Sequence, residues 1–289
     1  MSHNVKTALI ISVLVIALCL LVWVIVSNLR LELNSCTVST EHVPKGLDGF
    51  RIAQVSDLHN ALFGEENEKL LAALEKAKPS IIVITGDMID SRHTDVDIAL
   101  ELAEEMMKIA PCYYVNGNHE SRRSEYSELK EGLSELGVVV LEDSSVTFEW
   151  QGESLTLVGL VDPSFKVDYL VGDEQSVMRA ALDELVPTDG FTVLLSHRPE
   201  KFELYAEYGF DLVFSGHAHG GQFRLPFIGG LYAPGQGLFP EYEAGLFTSG
   251  RTNMIVSRGL GRTVVPIRIN NSPEVVVVEL KAEVQNAEN

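Results

Sequence analysis

Phe50-Arg51-Ile52-Ala53-Gln54-Val55-Ser56-Asp57-Leu58-His59 opens on an apolar run and stops on an acid and an imidazole. A helical stretch follows. Between Glu65 and Ala77, the residues Leu70, Leu71, Leu74 and Ala77 recur at the spacing of one helix face. Pro79 stops the helix, and Ile81-Ile82-Val83-Ile84 leads into Thr85-Gly86-Asp87. Strand, helix, strand, with each strand ending on a polar side chain, is the repeating unit of an α/β fold.

The unit recurs. Val96 to Ile109 sets Ile98, Leu102, Met106 and Ile109 on one helix face and ends before Pro111, and Ser124 to Leu136 reads as a third helix. Met106 and Met107 read as core fillers. Cys112–Val115, Val138–Leu141, Val146–Trp150 and Leu155–Leu160 read as strands, Gln175–Leu185 as a helix, then Phe191–Leu195 and Leu212–Phe214 as strands. Gly220 to Gly237 is rich in Gly and Pro and reads as an irregular loop. Met254–Ser257, Val264–Ile269 and Val275–Leu280 close with strands. Alternation in the first half and strands in the last third predict two packed sheets with helices outside. No linker divides residues 50–280, so they read as one domain, followed by a polar tail, 281–289.

Five polar segments stand where apolar runs stop: Asp57-Leu58-His59, Gly86-Asp87, Gly117-Asn118-His119-Glu120, Ser196-His197 and Gly216-His217-Ala218-His219. They supply two Asp, one Asn and five His. Side chains at the ends of several strands meet in one crevice at the sheet's edge. Imidazoles and carboxylates converging there are the donor set of a transition-metal site. Asp57 and His59, two apart, would project to one side if the strand continued. Taken singly, each residue has an ordinary reading: Asp57 and Asp87 as turn or cap residues, Asn118 as a turn, His197 as a loop histidine. Their joint recurrence behind five strands favours the metal. His3, His42 and His93 lie outside any motif and read as surface residues.

The order D-x-H, G-D, G-N-H-E, H, G-H-x-H resembles the signature of the calcineurin-like metallophosphoesterases, most closely their membrane-associated bacterial branch. Val55 to Asn60, Leu195 to Glu200, Gly216 to Gln222 and Ser257-Arg258-Gly259-Leu260-Gly261 carry the likeness, which spans roughly Phe50 to Leu280. The resemblance implies a four-layer α/β/β/α sandwich of two mixed sheets flanked by helices. It implies two divalent metal ions, Mn, Fe or Zn. Asp87 would bridge them, with Asp57, His59 and His219 completing one site and Asn118, His197 and His217 the other. A bridging water or hydroxide would attack phosphorus. His119 would protonate the leaving alkoxide or stabilise its charge, oriented by Asp57 or Asp87. Asn60 and Arg198, beside ligands, read equally as phosphate contacts or as local caps and salt bridges. Arg258 reads as structural.

Ala8 to Val26 is 19 residues with Ser12 alone polar and no charge, long enough to span hydrocarbon. It exceeds a usual signal-peptide core, no small-x-small cleavage site follows closely, and Trp23 fits an interfacial anchor. Residues 1–30 therefore read as a single-pass membrane anchor, and 31–49 as a linker in which Leu31–Thr40 could form an edge strand. Lys6 before the helix and Arg30 and Lys45 after it leave orientation nearly balanced, with a lean to a catalytic domain outside the cytoplasm.

The net charge of −19 argues against nucleic acid as partner and against a nuclease. Phosphorylated substrates stay open, because bound metal inverts the local sign. Cys19, Cys36 and Cys112 form no disulfide framework. The expected function is hydrolysis of a phosphodiester or pyrophosphate bond, with a lipid-linked substrate favoured by the anchor. Diester cleavage is preferred over monoester cleavage because no cluster of Arg or Lys is available to hold a dianionic monoester. The competing readings are a phosphomonoesterase and a non-catalytic metal-binding scaffold of the same fold.

Overall fold

The computed structural model describes residues 3–167, 172–185, 190–262 and 267–283. An apolar helix α1 (His3–Leu29) leads into β1 (Glu32–Thr40) and β2 (Arg51–Val55). Then come α2 (Glu68–Ala77), β3 (Ile81–Thr85), α3 (Val96–Ile109), β4 (Cys112–Val115), α4 (Tyr126–Glu135) and β5 (Val139–Val140). The second half runs β6 (Ser144–Trp150), β7 (Glu153–Gly159), α5 (Glu174–Leu185), β8 (Phe191–Leu195), α6 (Phe202–Glu207) and β9 (Leu212–Ser215). Two short pairs follow, β10 (Arg224–Leu225) with β11 (Gly229–Gly230) and β12 (Tyr232–Ala233) with β13 (Gly237–Leu238). The chain ends with β14 (Gly245–Ser249), β15 (Thr252–Val256) and β16 (Glu274–Ala282).

Two six-stranded mixed sheets result, ordered β1-β16-β2-β3-β4-β5 and β14-β15-β9-β8-β7-β6. β2 to β5 run parallel, as do β7, β8, β9 and β15, with antiparallel contacts between β16 and β2, β14 and β15, and β6 and β7. Strand alternation sorts the core into three layers. Ile52, Val83 and Val115 meet Leu157, Val193 and Phe214 between the sheets. Ala53, Val55 and Ile84 face outward against Leu74, Leu102 and Leu129 of α2, α3 and α4. Val158, Leu194 and Val213 face outward against Leu182, Leu204 and Tyr205 of α5 and α6. This is the four-layer α/β/β/α sandwich.

α1 stands apart from this core. Of its described residues only Ser27 is buried, so it is not a core helix of the domain. At 27 residues it is about 40 Å long, enough to cross a bilayer.

Several local readings shift. α2 starts at Glu68, not Glu65, because Glu66 and Asn67 take left-handed backbone and the Asn67 Oδ1 accepts the Phe63 N–H at 3.0 Å. Asp57 and His59 do not lie on a continuing strand: β2 ends at Val55 and both residues have positive φ, 51° and 47°. β1 lies at the sheet edge, parallel to β16 across nine residue pairs. α6 and β14 had no counterpart in the sequence reading, and the Gly220–Gly237 loop contains the two short strand pairs. Of the strand expected over Val264–Ile269, residues 264–266 lie outside the described residues, and Ile269 makes a single bridge to Phe223. In the expected tail, Lys281 and Ala282 still belong to β16, and residues 284–289 lie outside the described residues.

Candidate metal centre

The crevice is built by backbone turns at the ends of β2, β3, β4, β8 and β9. Past β2 the chain zips onto the loop after β3: Asp57 N–H donates to Gly86 O, His59 N–H to Asp87 O and Asn60 N–H to Met88 O, at 3.0, 3.0 and 3.1 Å. Asp57, His59, Asp87, His217 and His219 all take positive φ. Non-glycine residues there cost of order 1–2 kcal/mol each and persist only where the surroundings hold them. Left-handed backbone, not strand alternation, aims Asp57 and His59 at one point. Gly86, at φ 87°, is required by close approach: a Cβ there would meet the Gly117 backbone nitrogen at 2.7 Å.

The predicted residues come together. Asp57, His59, Asp87 and His219 bring ligand atoms within 4.8 Å of one another, and so do Asp87, His197 and His217. Asp87 belongs to both sets. Its Oδ2 lies 3.7 Å from His59 Nε2, 3.3 Å from His197 Nε2 and 4.0 Å from His119 Nε2. Asp57 Oδ1 lies 3.3 Å from His219 Nε2, and the Nε2 atoms of His59 and His219 are 3.2 Å apart. Asn118 sits between Gly117, packed on Asp87, and His119, whose backbone N–H donates to Asp87 Oδ1 at 2.8 Å.

Burial and mutual charge set the protonation states. Burial pushes the pKa of His59 down to about 3, and also pushes down His217 and His219, which keeps these imidazoles neutral. Burial opposes ionisation of Asp87, but His197 outweighs it and holds the carboxyl well below its usual range. His197 is driven the other way: against burial, Asp87 raises it to about 10. Burial raises Asp57, with Asp87 adding to the effect. Two carboxylates this close need positive charge between them.

The cluster fits divalent metal. Asn118 Oδ1 and His197 Nε2 are buried without hydrogen-bond partners, an expensive state for polar atoms unless a ligand satisfies them. Outer contacts already orient the donors. His197 Nδ1 meets the Thr85 carbonyl at 2.7 Å, which turns Nε2 inward, and Asp57 accepts from Ser56 Oγ at 2.6 Å and from the His217 N–H. A nitrogen and oxygen donor set suits Mn, Fe or Zn.

His119 is less buried than Asp57, His59, Asp87, His197, His217 and His219, and is oriented differently from the expectation. Neither Asp57 nor Asp87 holds its ring. Its Nδ1 accepts the Ser91 backbone N–H at 3.0 Å. The neutral imidazole therefore carries its proton on Nε2, the atom facing Asp87.

Other neighbours were missed or left open. The buried Glu120 carboxylate accepts backbone N–H groups from Asp87, Met88, Ile89 and Gly117, tying the β3 and β4 loops together. Its place after His119 in the motif was the only signal. Arg198 is a salt-bridge residue: Nε and Nη2 grip Asp162 at 2.6 and 3.0 Å, and Nη1 reaches His217 Nε2 at 3.1 Å. Asn60 is a loop clasp, accepting from Asp90 and Asp95. Arg258 pairs with Glu32 and Glu274 and is structural.

Comparison with known proteins agrees with this geometry. The calcineurin-like phosphoesterase family matches residues 50–221. The uncharacterized metallophosphoesterase YkuE of Bacillus subtilis is 30% identical, over 87% of this chain and 86% of its own. The phosphodiesterase YaeI of Escherichia coli is 27% identical, over 80% and 82%. A Danio rerio transmembrane protein with metallophosphoesterase domain is 27% identical, over 84% of this chain and 56% of its own. The chain belongs to the calcineurin-like phosphoesterases and is a metal-dependent hydrolase of phosphoric esters.

Proposed function

We propose that the enzyme holds two divalent ions and cleaves a phosphodiester or pyrophosphate bond in a membrane-proximal, lipid-linked substrate. Asp57, His59, Asp87 and His219 would hold one ion, and Asp87, Asn118, His197 and His217 the other. The observation that carries this reading is that Asp87 is shared by two donor clusters, Asp57–His59–Asp87–His219 and Asp87–His197–His217. Two ions there supply charge neutralisation at the phosphoryl oxygens and a water nucleophile active at neutral pH.

The chain's own residues do the rest. Ser56, Thr85 and the His217 amide hold Asp57 and His197 in place, so the crevice needs little reorganisation. His119 presents Nε2–H toward the crevice, where it would donate a hydrogen bond to the leaving oxygen and stabilise its developing charge. α1 spans the bilayer as a single-pass anchor, with the catalytic domain outside the cytoplasm. The names of YaeI and of the Danio rerio transmembrane protein support the diester and the membrane respectively.

The test is hydrolysis of bis(p-nitrophenyl) phosphate and p-nitrophenyl phosphate by chelator-stripped protein given Mn²⁺, Zn²⁺, Fe²⁺ or none. Metal-dependent turnover, faster on the diester, is expected. Faster monoester cleavage would replace the diesterase with a monoesterase. Two bound ions with no turnover of either ester or of lipid diesters would favour the scaffold.

A further inference from the structure

Beside the metal cluster lies a cavity of about 510 Å³ with His59 in its wall. Its lining gathers Lys69, Arg92, Arg262 and Arg268, four of the chain's 22 Lys and Arg. Among the described residues Asp90 is the single carboxylate in that wall, and it pairs with Arg92 at 3.3 Å. Lys69 and Arg262 are exposed and take part in no ion pair among the described residues. Arg268 is 2% exposed, and among the described residues its guanidinium donates only to the carbonyls of Gly261 and Arg258. A buried cation without a carboxylate in contact is costly to keep. In a chain of net charge −19, this is a focused positive cavity. The expectation that no basic cluster is available was therefore wrong: residues 69, 92, 262 and 268 are far apart in sequence and meet only in the fold.

The same cavity touches the apolar helix. Asn28 and Leu29, at the end of α1, form part of the wall. Asn28 Nδ2 donates to Arg268 O at 2.7 Å, and Arg268 N–H donates back to Asn28 Oδ1 at 2.8 Å. This two-way clasp fixes the helix end at the cavity. Leu29, Leu62 and Phe63 supply apolar wall, and Leu29 and Leu62 are more than half exposed. The volume is that of a small-molecule site.

We propose that this cavity is a lipid headgroup subsite, binding through Lys69, Arg92 and Arg262 a non-reacting phosphate of a membrane lipid whose scissile phosphoester lies at the metal centre. The inference rests on the membrane-proximal diesterase reading above and names its substrate class: a lipid carrying two anionic groups. With α1 in the bilayer, its end brings the cavity to headgroup level, acyl chains follow the Leu29 and Leu62 side, and the cations face the phosphate.

The test separates this subsite from catalysis. The full chain in detergent micelles is stripped of metal, which removes the metals' own affinity for anions, and is titrated with phosphatidic acid in mixed micelles or with soluble glycerol 3-phosphate. Phosphatidic acid should bind, and at least tenfold more weakly to Lys69→Ala/Arg262→Ala. Both residues are exposed, so the variant should fold. Lys108→Ala, an exposed cation away from the cavity, should bind like the parent. No binding by the parent, or equal binding by the double variant, would overturn the subsite. Glycerol 3-phosphate binding as tightly as phosphatidic acid would overturn the lipid assignment. Failure of the diesterase reading would show separately, as absent turnover of bis(p-nitrophenyl) phosphate.

Discussion

Asp162→Asn is the sharpest test of how the crevice is held. The change keeps side-chain volume and removes the charge facing Arg198. Asp162 is 2% exposed and Arg198 7%, and two hydrogen bonds of 2.6 and 3.0 Å join them. Against burial, Asp162 holds the guanidinium firmly charged. Breaking a buried pair by removing one partner typically costs about 3–5 kcal/mol, because the remaining charge is left uncompensated. Two neighbours soften the loss: Ser164 Oγ keeps its bond at 2.8 Å, and Glu200 lies 3.7 Å away. The cost should therefore fall near the lower end, about 3 kcal/mol. At roughly 2–4 °C per kcal/mol for a domain of this size, thermal unfolding should drop by about 6–12 °C. Arg198 Nη1 touches His217 Nε2, so loosening the guanidinium should also weaken metal binding, by about 10–100-fold as for other outer-contact changes. The assay is thermal unfolding with and without metal, plus metal affinity by competition. Adding Arg198→Met removes the orphaned charge and should recover most of the stability, though not the His217 contact. A single variant within about 2 °C of the parent, or a double variant losing more than either single change, would refute the reasoning.

Other outcomes follow from the same structure. His119→Ala should lower turnover about 10²–10⁴-fold while leaving metal content nearly intact; elemental analysis finding both ions lost would remove its assignment as proton donor. Asp87→Ala should empty or cripple both metal positions, and full activity would sink the bridging role. Gly216→Ala would place a Cβ 2.1 Å from Ser56 Oγ and 2.4 Å from Asp57 Oδ2, so it should displace that carboxylate and weaken metal binding; unchanged affinity in a metal titration would contradict this. Burial pushes the Cys36 thiol up to about 11 and Cys112 up to about 12. A raised thiol pKa means less thiolate, so alkylation at pH 8 should run at least about a hundredfold slower than for free cysteine, and a rate like free cysteine's would contradict it. A chain starting at Leu31 should keep the fold, whereas one starting at Ser39 loses most of β1, with buried Val38 and the Glu32–Arg258 pair, and should unfold at lower temperature.

The sequence by itself determined the strand–helix alternation, the location of the polar groups at strand ends and the donor types of the metal centre. Those are local properties. Period 3.6 in Val96–Ile109 and continuous apolar runs such as Ile81–Ile84 bury one face or both wherever they pack. Tertiary structure alone decided the rest, because it depends on which distant segments pack together. β16 returns from the end of the chain to lie between β1 and β2, a pairing that no local pattern encodes. Left-handed backbone at Asp57 and His59, held by the loop after β3, aims the two side chains where strand geometry would not. Arg198 and Asn60 could equally have met phosphate. In the fold they meet Asp162, and Asp90 and Asp95, which reach them only through the packed loops. Lys69, Arg92, Arg262 and Arg268 show no charge run in sequence and form one positive cavity in the fold. Charge acts through distance in space, and the packed sheets and loops set that distance.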